Sequence, residues 1–158
     1  MYSFLGSMFR QALDIHYNMK EERDIWKELN VTTRARVQLV ELTAKIQAEV
    51  AAAKVREGVC HLFVPHTTAG ITINENADPD VVSDLIATLD KLVPETGDYR
   101  HGEGNSDAHL KASMMGFSCT VPISGGRLAL GTWQGIYFCE FDGPRQRKLK
   151  IGLIGQGE

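Results

Sequence analysis

Cysteine is scarce in this 158-residue chain: Cys60, Cys119 and Cys139 form an odd set with no CxxC spacing. That excludes a disulfide framework and a zinc knuckle. Positive charge is also in short supply, with 17 Lys plus Arg against 20 Asp plus Glu and a formal net charge of −3. Without a basic surplus to hold a polyphosphate backbone, nucleic acid is not an expected partner. No charge-free apolar run approaches the roughly 20 residues of a membrane span. The segment from Met1 to Gln11 lacks the basic start and long apolar stretch of a secretion signal. No membrane association is expected, and a reducing cytoplasm is the compartment that fits. What is present, 43% hydrophobic and 23% charged residues, suffices for one ordinary core.

The pattern divides the chain into residues 1–24, read as a helical or frayed extension with Met8, Ala12, Ile15 and Met19 near helical spacing, and 25–158, read as one domain. Alternation at Leu29, Val31 and Thr33, and again at Val37 and Leu39, predicts two paired strands around an Arg34/Arg36 corner. A helix capped by Thr43 is expected to run to Gly58. Val59 to Val64 is nearly continuous apolar sequence, the mark of a strand covered on both faces. Ala69 to Glu75 alternates as a second strand. Asp78 before Pro79 signals a helix start, and Val82, Leu85, Ile86 and Leu89 mark its apolar face. Residues 94–105 form a long polar loop, followed by a short helix from Asp107 to Met115 closed by Gly116. Four further strands are expected over 118–123, 127–131, 135–142 and 147–154. The class is α+β: a β-sandwich-like arrangement of mostly antiparallel sheets, with two main flanking helices and one short helix.

Of five His, three stand among polar and glycine residues. His66 follows Pro65 at a strand end, beside Thr67, with Asn74 and Glu75 at the far end of the next strand. His101 and His109 flank Gly102, Glu103, Gly104, Asn105 and Asp107. The glycines permit close backbone approach, and the following helix start favours an oxyanion. His66, His101 and His109 are the candidate facial ligands of a divalent metal ion, with zinc, magnesium, manganese and nickel not distinguished. Glu75, Glu103 and Asp107 are the candidate bases or outer residues of that centre. The plainer alternative makes His101 and Glu103 a surface pair and Asp107 a helix-dipole residue. Trp133 and Gln134, between Gly131 and Gly135, can face a pocket, and Arg145 can grip a phosphate. Arg147, Lys148 and Lys150 read as the solvated side of an edge strand.

HTTAGITINENADPDV at 66–81, YRHGEGNSDAHLKASMMG at 99–116 and GTWQGIYFCEFDGPR at 131–145, with VPI at 121–123, resemble the YjbQ family, also called the secondary thiamine-phosphate synthase family. The resemblance runs from about residue 28 to 158, and residues 1–24 depart from it. It implies an α+β sandwich assembled as a homotrimer with a polar cleft at the subunit boundary. It also implies a weak synthase activity that joins a pyrimidine pyrophosphate to a thiazole phosphate and releases pyrophosphate. The family's polar motif positions fall on His66, Thr67, Asn74, Glu75, Asp78, His101, Glu103, Gly104, His109, Trp133, Gln134 and Glu140. On this basis a metal ion and the 102–107 loop would hold the leaving pyrophosphate, assisted by Arg145 or Lys111, with Trp133 against a heterocycle. A trimeric phosphometabolite-binding protein without turnover and a metal-dependent hydrolase are the alternatives.

Overall fold

The structure, a computed structural model, describes residues 26–157. The expected extension at 1–24 lies outside the described residues. Eight strands and three helices are described: β1 (Trp26–Thr32), β2 (Gln38–Glu41), α1 (Thr43–Ala52), β3 (Val55–Phe63), β4 (Ala69–Glu75), α2 (Pro79–Leu92), α3 (Ser106–Met115), β5 (Ser118–Ser124), β6 (Arg127–Leu128), β7 (Gln134–Glu140) and β8 (Gln146–Gly157). They build a five-stranded sheet in the order β1-β8-β3-β5-β6 and a three-stranded sheet in the order β2-β7-β4. Every strand pair is antiparallel, as the alternating sequence predicts.

The two sheets face each other across the main core. Val31, Cys60, Leu62, Val121, Leu149 and Ile151 of the larger sheet meet Ile71, Ile136 and Phe138 of the smaller, with Ile46 and Val50 of α1 filling one side. The opposite face of the smaller sheet carries Tyr137 and Cys139, which pack with Phe141 on Ala108 and Ala112 of α3 and on Leu89 of α2. β7 therefore lies between two cores, which explains its unbroken apolar run. Among the described residues no helix is long and apolar enough to cross a membrane.

Four local expectations change. β1 and β2 do not pair: β1 pairs with β8 and β2 with β7, because the Arg34 corner carries the chain from one sheet to the other. Helix α1 stops at Ala52, where Lys54 takes a left-handed φ of 55°, and Gly58 instead lies inside β3. A Cβ at Gly58 would sit 2.2 Å from the Ile154 carbonyl oxygen of β8, so glycine serves close strand approach there, not helix termination. Thr43 does not cap: its Oγ1 accepts the Ile136 amide at 2.8 Å. β3 is covered on one face only, since Phe63 on its outer side is 39% exposed while Leu62 is buried. The start of α2 is as the sequence predicts, with Asp78 Oδ1 accepting the Asp80 amide at 2.9 Å. Of its apolar face only Leu89 is fully buried.

Candidate functional site

The loop after α2 brings two of the three histidines together. Tyr99 Oη donates to the Pro94 carbonyl at 2.7 Å and folds the loop back on itself. Gly104, at φ 75°, makes the turn into α3. His101 from the loop and His109 from α3 then meet edge to face, ring centroids 5.3 Å apart and planes at 88°. With Tyr99, Ser106 and Leu110 they line a hollow of about 370 Å³. The Asn105 side chain makes no capping bond, while its carbonyl accepts the Ala108 and His109 amides, so the Ser106 and Asp107 amides are left for an external acceptor. Glu103 is exposed, and its Oε2 lies 3.8 Å from His101 Nε2. This is the surface pair of the plainer reading, worth at most about 1 kcal/mol.

Beneath this hollow the charges are locked into a network. Asp107 is fully buried and accepts from Arg36 Nη2 at 2.8 Å and from Lys111 Nζ at 3.2 Å. Lys111, also buried, donates to Asp90 at 2.6 Å. Arg36 reaches Glu95 at 3.2 Å and Asp142 at 3.5 Å. Asp142 Oδ2 accepts from Asn105 Nδ2 at 3.0 Å and from Arg145 Nη2 at 2.8 Å. Asp107 therefore anchors the β1–β2 corner, α2 and α3 to one another instead of standing ready as a base. Arg145 also donates Nε to its own turn, at the Asp142 carbonyl, and Lys111 is committed to two carboxylates. The phosphate-gripping roles expected of Arg145 and Lys111 are thus taken up by internal partners.

His66 stands apart from the other two histidines. The Lys148 amide of β8 donates to its Nε2 at 2.9 Å. An amide N–H can only donate, so the proton of the neutral ring is on Nδ1, and neither nitrogen offers a lone pair to a metal. Among the described residues no three His, Cys, Asp or Glu side chains group as a metal site. The three-histidine convergence expected from sequence does not form among the described residues of one chain. Burial foremost, then the Arg147 charge, lowers the His66 pKa against the opposing pull of Glu140.

Arg147 is the main surprise. It is buried and clamps the fully buried Glu140 with Nε at 2.7 Å and Nη2 at 2.6 Å, while Nη2 also reaches Thr68 Oγ1 at 2.9 Å. Thr33 Oγ1 and the amides of Phe141 and Asp142 complete the carboxylate's shell. Burial pushes the Glu140 carboxyl up, but the Arg147 hydrogen bonds, the Asp142 amide, the Arg147 charge and Thr33 together hold it below the ordinary value. β8 is no edge strand, since it runs between β1 and β3. Of Arg147, Lys148 and Lys150, only the two lysines face solvent. The missed signal was parity: Arg147 shares its register with the buried Leu149 and Ile151.

Apart from Thr67, the remaining expected residues gather at neither histidine site. Thr67 is exposed beside His66. Asn74 Oδ1 accepts the Glu75 amide at 2.8 Å, and the Glu75 carbonyl accepts from Tyr137 Oη at 3.1 Å. Gln134 Oε1 accepts the Gly131 amide at 2.8 Å and lines a separate polar hollow with Glu41, Thr43, Asn76 and Arg127. Trp133 projects into solvent, 64% exposed. Another hollow, about 590 Å³, opens on the outer face of the five-stranded sheet at Trp26, His61 and Phe63. It holds none of the expected site residues. Burial raises the Cys60 and Cys139 thiols to about 12 and the Cys119 thiol to about 11, which disfavours the thiolate at all three.

Comparison with known proteins agrees with the fold and the motifs. The family model described as UPF0047 protein YjbQ-like matches residues 27–156. UPF0047 protein MJ1081 of Methanocaldococcus jannaschii is 50% identical over 125 residues, covering 79% of this chain and 91% of that protein. UPF0047 protein YugU of Bacillus subtilis is 47% identical over 130 residues, covering 82% and 98%. A crystal structure of a YjbQ/UPF0047 family protein from Clostridium acetobutylicum superposes with a TM-score of 0.80 at 52% identity, covering 81% of this chain and 99% of that one. A Sulfolobus solfataricus protein described as of unknown function gives a TM-score of 0.80 at 29% identity, covering 83% and 96%. The chain belongs to the YjbQ/UPF0047 family.

Proposed function

We propose that the protein binds a phosphorylated small molecule in the hollow formed by Tyr99, His101, Ser106, His109 and Leu110, and turns it over slowly as a secondary thiamine-phosphate synthase. The observation that carries this reading is the meeting of His101 and His109, edge to face at 5.3 Å, over the first turns of α3. The hollow's 370 Å³ falls within the range of about 300–1,000 Å³ usual for small-molecule sites. Two imidazoles, the Ser106 hydroxyl and the free amides of the helix start can donate to phosphate oxygens, while Tyr99 and Leu110 offer apolar surface to a heterocycle. When a pyrimidine pyrophosphate joins a thiazole phosphate, charge develops on the departing pyrophosphate, and donors fixed in place stabilise it there. Asp107 is held in its ion pairs and Glu103 stands in solvent, so the reading assigns a proton to neither.

Formation of thiamine phosphate from the two substrates tests the chemistry. The expected kcat/KM lies well below the ~10⁴ M⁻¹s⁻¹ lower end of ordinary enzymes. It should fall at least about tenfold in His101→Ala and in His109→Ala, the loss of one charge-assisted hydrogen bond. Turnover unchanged in both variants would overturn the assignment.

The active form in this reading is a homotrimer. Leu92, Leu110, Met114 and Trp133 are 64%, 47%, 55% and 64% exposed in one chain, more large apolar surface than an isolated subunit needs. Light scattering should return three times the 17.5 kDa chain mass, and a monomer mass at micromolar concentration would refute the trimer.

A further inference from the structure

The turn between β3 and β4 carries a second polar station, separate from the hollow at α3. Its centre is His66, half-buried behind Pro65, with Nε2 pinned by the Lys148 amide at 2.9 Å. That amide belongs to a strand that cannot easily shift. The preceding residue, Arg147, is clamped to Glu140 by two bonds of 2.6 and 2.7 Å and to Thr68 by one of 2.9 Å. The ring is therefore oriented by the fold before any ligand arrives. Its Nδ1 has no hydrogen-bond partner among the described residues. The buried unpartnered side-chain atom among those residues is Asn105 Oδ1 alone, so Nδ1 opens to solvent.

We propose that His66 is a fixed hydrogen-bond donor, and that its Nδ1–H, together with the hydroxyl of the adjacent exposed Thr67, binds a phosphoryl oxygen of a ligand. The Nδ1–H donates and the Thr67 hydroxyl can donate, while the Glu140 and Glu28 carboxylates are already taken. Glu140 is enclosed by Arg147, Thr33 and two amides, and Glu28 is paired with Lys148 at 2.7 Å. A second proton on the ring would have to go onto Nε2, against the Lys148 N–H, at the expense of that bond. The imidazole thus remains neutral and donating at neutral pH. This explains why a histidine in a motif that reads as metal-binding is not arranged to bind a metal. The inference does not depend on the hollow at α3 being the ligand site.

The experiment is a long-range ¹H–¹⁵N correlation spectrum of the full chain with ¹⁵N-labelled histidine, with His66 assigned by its loss in His66→Gln. The expected result at pH 7 is a neutral Nδ1–H tautomer for His66, unmoved by added zinc. Addition of inorganic phosphate should then shift the His66 Nδ1 and Thr67 amide signals saturably, with the same midpoint. In His66→Asn the side-chain amide NH₂ falls near the place of Nδ1, and phosphate affinity read at Thr67 should stay within about threefold of wild type. In His66→Gln the amide falls near Nε2, and affinity should drop at least about tenfold, one charge-assisted hydrogen bond. His101→Ala, which alters the other hollow, should leave the His66 response intact. An Nε2–H or cationic ring at pH 7, a zinc-dependent shift of His66, or no saturable phosphate response would each overturn the proposal.

Discussion

Replacing Arg147 by alanine is expected to lower the melting temperature by on the order of 10–20 °C, the consequence of breaking a buried ion pair at about 3–5 kcal/mol in a domain of this size. The reason is asymmetry. Glu140 is 0% exposed, and without the guanidinium its carboxylate keeps only Thr33 and the Phe141 and Asp142 amides. The neighbouring Lys148→Ala removes an exposed pair with Glu28 and should change stability by less than about 1 kcal/mol. Replacing Glu140 and Arg147 together with apolar residues of similar volume should recover much of the loss, since no charge is then left unpaired.

The pair also sets an acid response. Because the folded Glu140 carboxyl is held below its ordinary value, its contribution is complete above the unfolded value of about 4.3 and is lost as pH falls through the folded value. In Arg147→Ala burial is opposed only by Thr33 and the two amides, so the destabilisation should be largest at neutral pH, where Glu140 is a carboxylate, and should shrink relative to wild type as pH falls and the group takes up a proton. Thermal melts followed by circular dichroism from about pH 3 to about pH 7, a range that brackets the ordinary carboxylate value of about 4.3, measure both effects. A variant melting within about 2 °C of wild type, less than 1 kcal/mol, would contradict the pair as described.

Asp107→Ala should be nearly as damaging, at about 3 kcal/mol, the lower end for breaking a buried pair. Lys111 would retain Asp90 at 2.6 Å, but its buried partner would be gone, and Arg36 would lose its 2.8 Å contact. This outcome separates two roles. A catalytic base would lose turnover in Asp107→Asn with stability preserved. An anchor would lose stability in Asp107→Ala, with any residual turnover following the folded fraction. Urea unfolding alongside the synthase assay distinguishes them, and the structure predicts the second pattern.

Asp78-Pro79 could be read as a helix start because its signal is local: a side chain that accepts an amide two residues on, and a ring that needs no donor. The alternation of β4 and the class of the fold were legible for the same reason. Which strands pair was not, because β1 and β2 are neighbours in sequence yet belong to different sheets, and only the closure of the two sheets decides their partners. Gly58 shows the same limit, since the backbone that forbids a Cβ there comes from residues 154–155. The site divided likewise. His101 and His109 lie eight residues apart across one turn into a helix, and their meeting was foreseeable. His66 was grouped with them on residue type, whereas its place depends on β8, a strand 82 residues further along. Arg147 was misassigned although its parity with Leu149 placed it inside, because a basic cluster suggests a solvated face.

In the proposed function the hollow over α3 holds the ligand. Backbone chemical-shift mapping with a thiazole phosphate tests it directly. Saturable shifts are expected, centred on Tyr99, His101, Ser106, His109 and Leu110 and abolished in His109→Ala while the rest of the spectrum is preserved. Shifts confined to the outer-face hollow at Trp26, His61 and Phe63, or to the Gln134 hollow, would contradict it.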